Sequence, residues 1–496
     1  MSVPSNMTSQ PKYMTNYSKM PIRIIPSTGQ TDITAGGTSV FQLPQAKVLQ
    51  LSSFRLNFNA ETNGTAGAVV GFPKYMACLI SQIEIFCNGI SVQNLTNYNQ
   101  IYKILRDFNS DNAKYQKLNN NADPSTQSVL ANTGSITRYN TYASTGVEVV
   151  NQFKKMYCID DWVGFFDSET MPDGGDFLNT NLVGSFEVHI TWSPNAVLWT
   201  NGVASPTYTI KNLTGWIDAV ELKDDSYIRA IEAKLNQRDP DGKVVGKHVM
   251  PFKNYRWYQG SDTTNNATTT IRVTENTQSL DKLLFTYIDK DRNTVDALRL
   301  GDQTKIVGNS ADAGTLLTNA NLLNTDVNIP QSLFNYEYLK SVKNPYLLNS
   351  SRFFRRNGTG LGFNTNRDKS ALIQFELDSQ DLHNPMDINT TYEETLKAFE
   401  LNRDNLYKTD AGIQTMETYL RDFFVAAYSL SHIGEKKEGH LISGVDTLST
   451  AINVAVKVSE NGGVANHANQ SATPVLITEF TSQLEIGNGR ACRVVQ

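Results

Sequence analysis

The sequence predicts an all-β protein made of two β-sandwiches in tandem, with a few short helices and long loops. Three observations carry this expectation: period-two alternation in both halves, turn signals between the alternating runs, and too few helical segments to cover the strands. An alternating strand has one apolar face to bury. Where helices are scarce, that face must pack on another sheet.

The alternation is explicit in five places. Phe186, Val188, Ile190 and Trp192 alternate with Glu187, His189 and Thr191. Ile452, Val454, Val456 and Val458 alternate with Asn453, Ala455 and Lys457. Phe54, Leu56 and Phe58 do so around Arg55 and Asn57, and Ile373, Phe375 and Leu377 around Gln374 and Glu376. Phe480, Ser482, Leu484 and Ile486 alternate with Thr481, Gln483 and Glu485, which are expected on the solvent side.

Between two apolar runs, Cys87-Asn88-Gly89-Ile90 reads as a hairpin, because a type I′ turn needs positive φ at both central residues. Pro172-Asp173-Gly174-Gly175 and Asp239-Pro240-Asp241-Gly242 read as further breaks. The polar stretches 109–140 and 301–328 read as long surface loops.

Helical spacing is local. Ile101, Ile104, Leu105 and Phe108 follow one helix face. Thr391-Tyr392-Glu393-Glu394 is a capping box, and Met416, Tyr419, Leu420, Phe423 and Phe424 make a third apolar stripe. Asp224 or Asp225 can cap a helix whose Ile228, Ile231 and Leu235 share a face. It ends before the turn at 238–242, and a new strand-like segment follows. The expected division is therefore an N-terminal arm over 1–30, a first sandwich with its linking helix over 31–236, and a second over 237–496.

Length fits this division, since 496 residues exceed one ordinary core. A net charge of −5 argues against a protein that coats nucleic acid over its whole surface. The longest apolar run, FFVAAYSL at 423–430, is far short of the roughly 20 residues of a membrane helix. The N-terminus lacks an apolar core segment, so a secretory signal is not expected. Cys78, Cys87, Cys158 and Cys492 are scattered without zinc-ligand spacing. Cys87 has the apolar parity of its strand and is expected to be a reduced core thiol, which points to assembly inside a cell.

Catalytic patterns are missing from the residues. Neither a metalloprotease helix motif, a phosphate loop, a nucleophile elbow nor a Cys-x-x-Cys pair occurs. The glycines of 358–362 follow Arg355-Arg356 and read as a loop. Asp160-Asp161 and Asp224-Asp225 read as caps or turns, because adjacent carboxylates on a strand point to opposite faces. The six histidines are dispersed, and sequons such as those at Asn63, Asn212 and Asn389 are expected by chance in an Asn- and Thr-rich chain. No catalytic residue, cofactor or metal is expected.

The arm is asymmetric in charge. Lys12, Lys19 and Arg23 precede the first acid, Asp32, and Pro4, Pro11, Pro21 and Pro26 oppose a helix. These three basic residues are expected to touch an anionic layer such as a lipid leaflet or packaged genome.

Several segments in order along the chain resemble the double jelly-roll major capsid proteins of tailless icosahedral dsDNA viruses, particularly the polinton-like virus and virophage branch. The stretch 80–108 is similar to that family's hairpin and short helix, and 162–194 to its helix-containing loop ahead of a late strand. The stretch 214–235 resembles the strand, acidic cap and linking helix between barrels. PFKNYRWYQ at 251–259 and SLDKLLFTYID at 279–289 resemble the opening strands of the second barrel, and 423–430 with 441–458 its closing portion. The resemblance implies two eight-stranded jelly rolls, homotrimers of pseudo-hexagonal outline, strands perpendicular to a virion shell, and contacts with minor capsid or penton proteins. A carbohydrate- or receptor-binding sandwich of the viral spike type is the alternative, although heptads and repeats are missing. A β-sandwich glycosidase would need two carboxylates facing one cleft.

Overall fold

A computed structural model of the chain describes residues 17–63, 69–73, 75–109, 156–167, 177–201, 205–222, 226–261, 268–289, 296–297, 370–382, 386–387, 426–430, 444–448, 452–461, 472–487 and 491–496. The loops expected over 109–140 and 301–328, the capping box at Thr391, the stripe from Met416 to Phe424 and the glycines of 358–362 lie almost wholly outside these residues, as do Asp224 and Asp225.

The first barrel is two facing sheets. One carries the order β1 (Tyr17–Ile24), β12 (Tyr208–Leu222), β4 (Val48–Thr62) and β8 (Met156–Ile159). Short strands β2 (Ile33–Thr34) and β9 (Phe177–Asn179) add to β12 and β4. The other has the order β3 (Thr38–Gln42), β10 (Phe186–Trp192), β6 (Ile80–Cys87) and β7 (Ile90–Thr96). Early strands lie beside late ones, β4 on β12 and β3 on β10, all antiparallel. A ribbon whose two ends pair in this way and then wraps is a jelly roll.

The second barrel repeats the device. β13 (Lys247–Gln259) pairs with β22 (Ala472–Gly487), and β14 (Thr268–Glu275) with β21 (Ile452–Asn461), so again the first strands meet the last. One sheet runs β13-β22-β15-β20, with β15 (Leu280–Asp289), β20 (Ala426–Ser429) and a C-terminal strand β23 (Cys492–Val495) on β22. The other runs β14-β21-β17-β18, with β17 (Ser370–Leu377), β18 (Gln380–Asp381) and β19 (Met386–Asp387) on β17. A small third sheet mixes the halves: β11 (Trp199–Asn201) pairs with β5 (Val69–Gly71) and, in parallel, with β16 (Asp296–Ala297).

The alternation has the expected consequence where it was clearest. β10 buries every second residue, from Phe186 through Trp192. Phe54, Leu56 and Phe58 are buried, and Phe54 packs on Trp162 and Phe166 at ring distances of 5.3 and 4.9 Å. Trp162 also donates its indole N–H to the Phe54 carbonyl at 2.7 Å, so a large apolar body is buried without an unpaired donor. Upstream, Leu49 and Leu51 are buried on the opposite parity. The shift is at Ser53, whose hydroxyl donates to the Gln50 carbonyl and accepts the Asp218 N–H where the β4–β12 register slips. The turn between β6 and β7 has φ of 51° at Asn88 and 77° at Gly89, the type I′ conformation.

Strand β22 departs from the expectation. Thr481 and Gln483, expected toward solvent, are buried along with Glu479. Thr481 and Glu479 are accommodated because the neighbouring strands carry matching polar and charged groups, described below. The helix expected around Ile101 and Ile104 is α1 (Tyr98–Asn109), which also buries Lys103 and Arg106. The linking helix α2 (Ser226–Leu235) buries Ile231 and Leu235 and leads through the turn at Asp239 into β13.

Candidate functional site

The two sandwiches touch along a seam of side-chain contacts. The seam begins at a bulge. Ile85 pairs with Gln93 but Phe86 pairs with Ser91, so Val92 is an extra residue in β7. As a result Val92 joins the first core, while its neighbour Gln93 is buried too and reaches the second barrel. The Gln93 amide donates to the Lys253 carbonyl and to Asn254 Oδ1, both at 3.2 Å. Its oxygen accepts the Phe165 N–H at 2.9 Å. Gly164 makes this possible: its φ is +96°, and a Cβ there would lie 2.5 Å from Gln93 Oε1. Beside it, Phe165 of the first barrel meets Phe252 of the second edge-on at 5.0 Å and stacks on Phe186 at 5.7 Å.

Behind the seam lies a buried ionic cluster. Lys253 Nζ is 2.9 Å from Asp281 and 3.7 Å from Glu479, and Lys282 is 3.6 Å from Glu479. Asp281 accepts from Ser279 and Thr481, each at 2.7 Å. Burial raises the Asp281 carboxyl, against the pull of Lys253. Burial also raises Glu479, but Lys282 and Lys253 outweigh it and bring this carboxyl below its ordinary range. A second group joins Arg256 to Glu275 at 2.5 Å, to Gln496 at 2.7 Å, and over the Phe480 ring at 4.5 Å. Thr478 donates to the same Glu275 at 2.7 Å. These groups fix β13, β14, β15 and β22 to one another and hold the last residue of the chain.

Asp161, one of the acids read as caps or turns, has a similar role. Asp161 accepts from Arg106 at 2.7 Å and from the Tyr102 hydroxyl at 3.0 Å, and Arg106 also donates to the Trp162 carbonyl at 2.6 Å. His189 lies 3.1 Å from Glu187 on the polar face of β10.

Of the three basic arm residues, Lys12 lies outside the described residues. Lys19 and Arg23 are on β1, so from Tyr17 the expected arm is an edge strand of the first barrel, paired with β12 along its length. Pro21 is compatible with that position, because an edge strand has one side that need not donate. Lys19 forms an ion pair with Asp218 at 3.1 Å, while Arg23, opposite Trp216, is exposed. Of the two described, Lys19 is paired with an acid and Arg23 is not drawn to it.

Sequence reasoning missed Gln93, Gly164, Lys253 and Glu479. A signal for the first was present: Val92 and Leu95 are both core residues three apart, a break in period two that marks a bulge.

Neither a protein-family model nor a curated protein sequence matches the chain. Solved structures do. VP54 of PBCV-1, fitted into a reconstruction of the virophage Sputnik, superposes with a TM-score of 0.51 at 13% identity, over 97% of both chains. A quasi-atomic model of the PBCV-1 capsid gives 0.50 at 13%, with the same coverage. The Faustovirus major capsid protein gives 0.51 at 9% identity, over 97% of this chain and 92% of the other. The fold is the double jelly roll of major capsid proteins. Within that double jelly roll, the Gln93 bridge, the Phe165–Phe252 contact and the mixed sheet of β5, β11 and β16 tie the two rolls together.

Proposed function

We propose that this chain is the major capsid protein of a tailless icosahedral virus, a structural protein that assembles and does not catalyse. The observation that carries the reading is the joining of two jelly rolls side by side into one unit whose fold matches capsid proteins over nearly its whole length. Three copies of a two-barrel unit present six barrels around one axis, which gives a trimer a pseudo-hexagonal outline able to tile a shell. The protein therefore resides in the virion, after assembly inside the host cell. Its partners are its own copies first, then minor capsid and penton proteins. The N-terminal segment, with Lys12 ahead of the β1 edge strand, faces the interior and contacts membrane lipid or genome.

Light scattering and electron microscopy of the purified protein test this. Trimers with six-lobed projections support it. A monomer at all concentrations that binds glycans on an array would replace it with the receptor-binding reading.

A further inference from the structure

Two cysteines far apart in sequence meet at the seam. Cys87 ends β6 at the hairpin of the first barrel, and Cys492 opens β23 at the end of the second. Their sulfurs are 3.0 Å apart across 405 residues. Both backbones are held independently: β23 pairs with β22 from Ile486 to Gln483, and the hairpin is fixed by Asn88. Asn88 Oδ1 accepts the N–H groups of Gly184 and Ser185 at 2.8 and 2.9 Å, which aims its amide nitrogen at Cys492 Sγ, 3.6 Å away. Cys87 is buried and Cys492 half-buried, so an approaching reagent meets Cys492 first.

We propose that Cys87 and Cys492 form a redox-controlled disulfide that staples the two jelly rolls, closed by exchange with a small-molecule disulfide such as oxidised glutathione. The thiolate of Cys492 attacks one sulfur of the reagent, forming a mixed disulfide and releasing one glutathione thiolate, which takes up a proton. Cys87 then gives up its S–H proton and attacks the Cys492 sulfur. The mixed bond breaks, and a second glutathione leaves and is protonated. Two cysteine thiols are oxidised and one reagent disulfide is reduced to two thiols.

The surroundings assign these roles. Cys492 accepts hydrogen bonds from the Cys87 thiol and from Asn88, and they hold it below the ordinary thiol range, which favours the thiolate nucleophile. The hydrogen bond to Cys492, together with burial, holds Cys87 above that range, which suits the second, intramolecular step. The bond stays open in a reducing cell and closes in an oxidising medium. Formation of the bond does not depend on the capsid reading; only a benefit to a released shell does.

The test uses the full-length protein, incubated with oxidised glutathione, alkylated without reduction, digested and mapped by mass spectrometry. The expected result is a linked pair of peptides containing Cys87 and Cys492. Its melting temperature should exceed that of the reduced protein by at least about 3 °C, and dithiothreitol should abolish the difference. Cys492→Ser should melt like the reduced protein and show no oxidant effect. Separately alkylated Cys87 and Cys492 after prolonged oxidation, or a stable glutathione adduct on Cys492, would overturn the proposal.

Discussion

The side-chain amide of Gln93 donates to the backbone carbonyl of Lys253, 160 residues away, and so binds the first barrel to the second. The same Lys253 turns its ammonium inward to Asp281 and Glu479, which couples the seam to the charges beneath it.

Gln93→Ala leaves the Phe165 N–H and the Asn254 oxygen without this partner in a buried place. The expected cost is about 1–3 kcal/mol, because buried polar groups lose their full compensation. Gly164→Ala should cost at least as much, from a positive φ and a Cβ driven into Gln93. Denaturant melts of both variants, with trimer yield measured beside them, check this.

Val454 is fully buried on β21 between Val273 and Leu377. Val454→Asp places an unpaired carboxylate in that core and is expected to destabilise by ~3 kcal/mol or more. A soluble variant with unchanged melting would contradict the assigned face.

Glu479 supplies an acid-sensitive term. Its folded carboxyl lies below the ordinary value of 4.5, so the unfolded chain takes up the proton first as pH falls. The contribution is complete above the ordinary glutamate range and is lost as pH drops through the folded value. Glu479→Gln leaves Lys282 and Lys253 without this carboxylate and should cost on the order of 3 kcal/mol at pH 7. Its stability should also depend less steeply on pH below 4.5 than that of the parent. Urea midpoints from pH 3 to 7 measure both.

Two deletions separate the roles of the N-terminus. Removing residues 2–16 leaves β1 in place and takes away Lys12. Trimers should form normally, and particles should lose salt resistance, each basic group being worth about 1 kcal/mol at an anionic surface. Removing 2–24 also strips β1 from β12 and breaks the Lys19–Asp218 pair, so monomer stability itself should fall. Equal melting of the two deletions would show that β1 contributes nothing, and salt-resistant particles from the shorter one would dismiss the interior contact.

The sequence by itself determined the sheets. Alternation such as that of Phe186 to Trp192 is a local property, because neighbouring side chains on a strand point to opposite faces whatever lies beyond. The Asn88-Gly89 turn is equally local, since two consecutive positive φ values select those residues. Only the tertiary structure decided where polar residues go inside. Thr481 and Glu479 alternate like solvent-facing residues, yet Asp281, Lys253 and Lys282 arrive from other strands to satisfy them. In the same way, Lys19 is one basic residue among three ahead of Asp32 in the sequence but an ion-paired one once Asp218 lies nearby. The encounter of Cys87 with Cys492 was equally invisible, because a contact across 405 residues depends on how two barrels dock and leaves no periodic trace in either segment.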